Sequence, residues 1–259
     1  MKKNVSIFTK FHLVLLVSLV GTISVALATP STQIWIPSTD IQPFGTVHYG
    51  IDNYIRTQKQ ADGIIGNGIY DMGLTAGISP FKKVLCEVGI DYLSMGDKNY
   101  DVHPIYFNAK IGIPEDSLFK GCPAIAVGAY NFGTKVNLTD YNILYGLIAK
   151  TIPVIGRLSV GYYTGNKTLL VDEAGVASNS GLLLSWDRAM PEISEKLWFA
   201  VDYQGGKNYL GALNFGVSWA FSKNVSVIFG YDIYNNKNAL YNTANTNANS
   251  FTTQLDINL

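Results

Sequence analysis

The sequence predicts an all-β fold, a single transmembrane antiparallel up-and-down β-barrel of about 12 strands. Three features point to it. Segments of about ten residues alternate strictly between apolar and polar positions, tyrosine and tryptophan gather at the segment ends, and no uncharged apolar run long enough for a spanning helix follows residue 28.

The N-terminus is read first, because it is expected to be removed. Lys2, Lys3 and Lys10 form a positive start, Leu13 to Val25 is apolar, and Ala26-Leu27-Ala28 offers small residues at the positions a signal peptidase reads. The apolar run is short for a membrane span, which takes about 20 residues. Residues 1–28 therefore read as a cleavable signal peptide cut after Ala28, and no Cys follows that would anchor a lipid. Cleavage takes 28 of the 259 residues and three of the 19 basic ones, leaving 16 basic against 19 acidic, a net charge of about −3. A binder of nucleic acid carries a basic stripe instead, so that class is excluded.

Residues 29–45 contain Pro30, Pro37 and Pro43 and little clean alternation. They are expected either in the periplasm or folded into the lumen. Residues 46–259 are expected to form the barrel. The first segment, 46–56, puts Thr46, His48, Gly50, Asp52 and Arg56 on its polar face. Segments 69–79, 83–93 and 104–113 follow, with Asp71, then Glu87 and Asp91, then Lys110 on theirs. Segment 122–132 has no clear phase. Segments 141–150 and 157–165 bring Lys150 and Arg157, and segments 181–188 and 196–204 bring Asp187, Lys196 and Asp202. In 208–221, Tyr209, Leu213, Phe215, Val217 and Trp219 alternate with Ala212, Asn214, Gly216 and Ser218. Segment 224–234 repeats the pattern with Asp232 on the polar face. The last, 250–259, is the clearest: Phe251, Thr253, Leu255, Ile257 and Leu259 oppose Thr252, Gln254, Asp256 and Asn258.

A strand with lipid on one side and a lumen on the other must alternate in this way. The charged residues named above are thus expected inside, since a midplane Arg or Lys facing lipid costs about 2–4 kcal/mol. With the N-terminus in the periplasm, the connections near 57–68, 94–103, 133–140, 166–180, 205–207 and 235–249 face outward from the cell. Most are longer than the inner turns, the expected asymmetry. On the apolar faces, Tyr70, Tyr92, Tyr141, Tyr162, Tyr203, Tyr209, Tyr231 and Phe251 fall at the outer ends, and Trp186 and Trp219 near the inner ends. Such girdles mark membrane–water interfaces.

The signal peptide, the repeated alternation and the closing amphipathic strand resemble the bacterial outer-membrane β-barrel (porin-like) superfamily over roughly residues 46–259. The opening Thr29-Pro30-Ser31-Thr32-Gln33-Ile34-Trp35-Ile36-Pro37-Ser38-Thr39-Asp40 is similar to that of uncharacterised exported bacterial proteins, which implies no activity. The resemblance implies the cell outer membrane as location, its lipids as surroundings and the barrel-assembly machinery as a partner during insertion. Family members commonly end in an aromatic residue, whereas this chain ends in Leu259. The sequence sets no oligomeric state.

Chemistry is sparse. His48 and His103 are the two histidines after residue 28. A lipid-hydrolysing His48 is set against a lumenal histidine in a hydrogen-bond network, and no catalytic residue is assigned. No zinc or nucleotide motif occurs, so neither a metal nor a cofactor is expected. Cys86 and Cys122 lie two strands apart, and only a turn folding back at 114–122 would pair them. The charged lumen residues are compatible with a porin-like channel for ions or small hydrophilic solutes. That is the leading expectation; the alternative is an ion-paired, closed interior in a structural, adhesive or partner-binding surface protein.

Overall fold

The computed structural model describes residues 31–59, 63–236 and 249–259. The signal peptide and residues 241–248 of the Asn-rich loop lie outside them. The described residues form twelve strands: β1 (Val47–Arg56), β2 (Ile69–Gly77), β3 (Leu85–Ser94) and β4 (Ile105–Ile113). β5 (Ala124–Gly133), β6 (Asp140–Ile152), β7 (Gly156–Thr164) and β8 (Ser180–Ala189) follow. β9 (Leu197–Gln204), β10 (Ala212–Ala220), β11 (Val225–Tyr234) and β12 (Ser250–Asn258) complete the set.

Each strand pairs antiparallel with its neighbours in sequence, and β1 closes on β12 from His48↔Asn258 to Arg56↔Ser250. Closure leaves no free sheet edge. Two register shifts interrupt the ladder, between Phe107 and Ala109 in the β4–β5 pair and between Tyr130 and Phe132 in the β5–β6 pair. Asn131 takes a positive φ of 56° at the second. Such bulges let one strand carry an extra residue and bend.

Alternation sorts the side chains. Leu74, Val88, Ile90, Val127, Leu144, Val160, Leu182, Phe215 and Phe229 project outward and are exposed. Water does not tolerate an apolar belt around a whole barrel; this outer face is built for hydrocarbon. Near and far ends are defined here by the point where residue 46 enters β1. Tyr70, Tyr92, Tyr162, Tyr203, Tyr231 and Phe251 face outward at the far end, Trp186 and Trp219 toward the near end. The Trp186 indole N–H donates to the Ile155 carbonyl in the near-end β6–β7 turn (2.7 Å).

Two members of the expected girdle are not in it. Tyr141 is buried inside the barrel, because the inward face of β6 is Tyr141, Ile143, Tyr145, Leu147 and Ala149. The stronger apolar face of this strand meets an apolar patch of the interior and not the lipid. The same phase puts Lys150 on the outward side at the near rim, where its amine meets Glu115 (2.7 Å) and Asp116 (3.6 Å). Hydrogen bonds from Lys150 and Thr151 hold the Glu115 carboxyl below its ordinary value, although burial alone would raise it. Tyr209 is the second correction. β10 begins only at Ala212, and the preceding loop folds over the far mouth, setting Tyr209 against Tyr141 with ring centres 5.0 Å apart and the planes tilted by 53°. Lys196 also departs from expectation: it is exposed in the turn ahead of β9 and does not reach the lumen.

Candidate functional site in the lumen

The lumen is divided by the chain's own N-terminal segment. Residues 31–45 enter from the near end and fold into a tight hairpin, with Thr32 bridged to Pro37 and Gln33 N–H donating to the Ile36 carbonyl (2.8 Å). Its tip carries Ile34, Trp35 and Ile36. The root runs beside β2, where a Cβ on Gly77 would lie 2.0 Å from the Pro43 carbonyl oxygen, so only glycine lets the two backbones pass.

Polar wall residues grip this plug. Asp202 accepts the backbone N–H groups of Ile34 (2.8 Å) and Trp35 (2.9 Å) on one oxygen and the Asn214 amide on the other (2.6 Å). Asp187 accepts from Gln33 (3.0 Å), Arg157 (2.9 Å) and the Trp198 indole (3.2 Å), while Arg157 also reaches Asp40 (2.6 Å). Lys110 and Glu87 form an ion pair at 3.0 Å with both side chains buried. Lys110 also donates to the Ser31 carbonyl (3.0 Å), and Glu87 accepts the Gln42 N–H (2.7 Å). Gln254 donates to the Ile34 carbonyl (2.7 Å). Charge-assisted bonds of this kind are the stronger ones. They explain why so many carboxylates sit inside a barrel of neutral composition.

Apolar contacts fix the tip. Ile34 packs on Trp198, Ala200 and Ile228, against wall glycines Gly216 and Gly230. Ile36 joins Tyr106, Tyr141, Tyr163, Leu170 and Leu210 in a cluster toward the far end. Trp35 meets the rings of Tyr54 (5.1 Å) and Tyr234 (5.7 Å) edge-on, and its indole donates to the Leu210 carbonyl (2.9 Å).

What the plug does not fill is a cavity of about 220 Å³ beside β1–β5. On β1 it extends from His48 to Tyr54, seven residues or about 20 Å of strand. Asp52, Asp71, Asp91 and Asp256 line it. Asp52 and Asp71 are direct cross-strand partners with both side chains inward. None of Asp52, Asp71 and Asp91 has a cationic side chain within 4 Å among the described residues. Asp91 accepts from Asn108 (2.7 Å), and one oxygen of Asp71 has no hydrogen-bond partner. Two ionised carboxylates at that cross-strand spacing, about 5 Å, would repel by about 3 kcal/mol at an effective dielectric of about 20. No His, Cys, Asp and Glu group among the described residues is close enough to hold a metal ion.

Of the residues expected inside, His48, Asp52, Arg56, Asp71, Glu87, Asp91, Lys110, Arg157, Asp187, Asp202, Asp232 and Asp256 point inward, in two groups. Asp52, Asp71, Asp91, Asp256 and His48 edge the cavity, with Glu87 and Lys110 between cavity and plug. Asp187, Asp202 and Arg157 hold the plug, while Asp232 is buried and accepts from Ser250 (2.7 Å). His48 meets Asn258 (3.0 Å) and Asp256 (3.6 Å), and the Ser226 hydroxyl donates to Asp256 (3.3 Å), not to His48. Cys86 and Cys122 are both free. Sequence reasoning missed the inward tyrosines Tyr106, Tyr130, Tyr145, Tyr163 and Tyr234. Their small cross-strand neighbours, such as Gly128 beneath the Tyr145 ring, carried the signal.

No family model and no curated protein matches the chain. Among solved structures it is similar to the NanC porin, at 10% identity over 81% of this chain and 98% of that one, with a TM-score of 0.46. It is also similar to an outer membrane channel from Pseudomonas putida F1, at 11% identity over 83% and 95%, TM-score 0.47. A third is the Salmonella typhi OmpF complex with daunomycin, at 6% identity over 83% and 96%, TM-score 0.44.

Proposed function

We propose that the protein is a narrow outer-membrane channel that passes small cations in preference to anions, along the cavity beside the plug. The observation that carries this reading is the adjacent set Asp52, Asp71 and Asp91 on β1, β2 and β3, which lines the cavity with no cationic side chain within 4 Å among the described residues. A ring of like charge selects the opposite ion at close quarters, and a mobile cation relieves the repulsion between Asp52 and Asp71. The plug fills part of the lumen, and the cavity left beside it, about 220 Å³, supports small ions as the solute class. The outward apolar belt and its aromatic ends support an outer-membrane position.

The test is rubidium uptake by proteoliposomes. Wild-type protein takes up the ion, and a variant with Asp52→Asn, Asp71→Asn and Asp91→Asn takes up much less. Equal uptake by both, or none by folded wild-type protein, would remove the reading. A second reading, a closed barrel acting through its outer loops, is favoured by the packed far-end cluster around Tyr141 and Tyr163. It predicts no uptake at all.

A further inference from the structure

We infer that residues 31–43 are a displaceable gate, docked in the lumen and able to swing toward the near end about Phe44 and Gly45. Four observations combine. The wall beneath the plug is polar, with Glu87, Lys110, Asp187, Asp202 and Gln254 making the contacts, so its exposure leaves a wettable channel and not a bare apolar core. The plug is also imperfectly satisfied. Ser31 Oγ, Gln33 Oε1, Thr39 Oγ1 and Gln42 Nε2 are buried without a hydrogen-bond partner, and so are Ser159 Oγ, Ser185 Oγ and Asn214 Oδ1 on the lumen face. Buried orphan groups favour a state in which water reaches them. The apolar grip is small: three consecutive residues, Ile34, Trp35 and Ile36, and Ile41, which packs against Gly112. Finally, the root of the segment is a tether beside β2. Phe44 is bridged to Gly77, and Gly45 takes a φ of 77° with no atom within 4 Å of where a Cβ would stand.

Docked, the plug leaves the cavity beside β1–β5. Undocked, it frees the near-end lumen of the 12 strands and takes Ile36 out of the far-end cluster around Tyr141 and Tyr163, whose loosening would complete a path for solutes larger than ions. This goes beyond the cation path, which requires no movement.

A disulfide tests it. Ile34 Cγ2 lies 3.2 Å from the position of a Cβ on Gly230. In a disulfide each sulfur stands about 3 Å from the partner Cβ, so an Ile34→Cys, Gly230→Cys pair is placed to bond. In a Cys86→Ser, Cys122→Ser background, single-channel conductance is recorded from reduced and oxidised protein, beside a chain lacking residues 31–43. Reduced protein is expected to show openings at least about threefold larger than the oxidised level, lost on oxidation and matched by the deleted chain. The same levels before and after oxidation, or no current in either state, would overturn the gate. A large current from the deleted chain alone would also overturn it, because the plug would then block without moving. If the deleted chain does not fold, the two redox states decide by themselves. The cation path is judged separately, by whether the oxidised protein keeps a small current.

Discussion

Replacing Asp202 by Ala should loosen the plug without unfolding the barrel. The Asp202 carboxylate is buried and accepts two consecutive backbone N–H groups, those of Ile34 and Trp35, at 2.8 and 2.9 Å. Each buried donor left without an acceptor costs about 1–3 kcal/mol. Water entering the vacated space recovers part of that, and the two losses share one site. A net loss of about 2–4 kcal/mol in docking follows, equal to a factor of about 30 to 1,000 in the docked fraction. Amide hydrogen exchange reads this directly at the two residues concerned. The Ile34 and Trp35 amides should exchange faster by that factor in Asp202→Ala, while amides of β3 and β6, remote from the substitution, stay as protected as before. Asp202→Asn retains one oxygen acceptor and should lose only about 1 kcal/mol. Unchanged protection of both amides in Asp202→Ala would refute the account of how the plug is held.

Other expectations follow from the same geometry. Glu87→Gln breaks a buried ion pair and should lower stability to urea by about 3–5 kcal/mol; the Glu87→Gln, Lys110→Met double variant should lose clearly less. A Cβ on Gly77 would meet the Pro43 and Gln42 carbonyl oxygens at 2.0 and 2.4 Å, whereas one on Gly50 meets nothing nearer than 3.5 Å. Gly77→Ala should therefore raise protease cleavage within residues 31–45, and Gly50→Ala should not. Tyr163→Phe removes a buried hydroxyl that donates to the Gly205 carbonyl (2.8 Å) and accepts from Asn208 (2.9 Å). It should cost about 1–2 kcal/mol, seen as faster amide exchange across residues 205–211.

Much of this fold was legible because a period of two is a strong signal when the two sides of a strand meet different media. All 12 segments read from alternation correspond to strands, and the clearest in sequence, 250–259, is β12, which closes the barrel on β1. The signal fails where the medium is the same on both sides. β6 meets lipid through Leu144 and Ile148 and an apolar interior through Ile143 and Leu147, so its hydrophobicity could not set its phase. That one inversion misplaced both Tyr141 and Lys150. Tyr209 was misplaced for another reason: Asn208 and Gly211 hold it in a loop that reads as a strand. The lumen charges were legible as inward because lipid forbids the alternative. Their division between plug and cavity was not, because it depends on residues 31–45, which carry no periodicity. Gln33, Asp40 and Gln42 declare their partners only in three dimensions, across separations of 45 to 154 residues.

The most direct test of the cation path is the reversal potential of the wild-type protein in a planar bilayer under a tenfold gradient of potassium chloride. Selection by Asp52, Asp71 and Asp91 predicts a reversal potential displaced toward the potassium equilibrium value, which is about 59 mV for a monovalent ion. A reversal potential at zero or displaced toward the chloride value would contradict it.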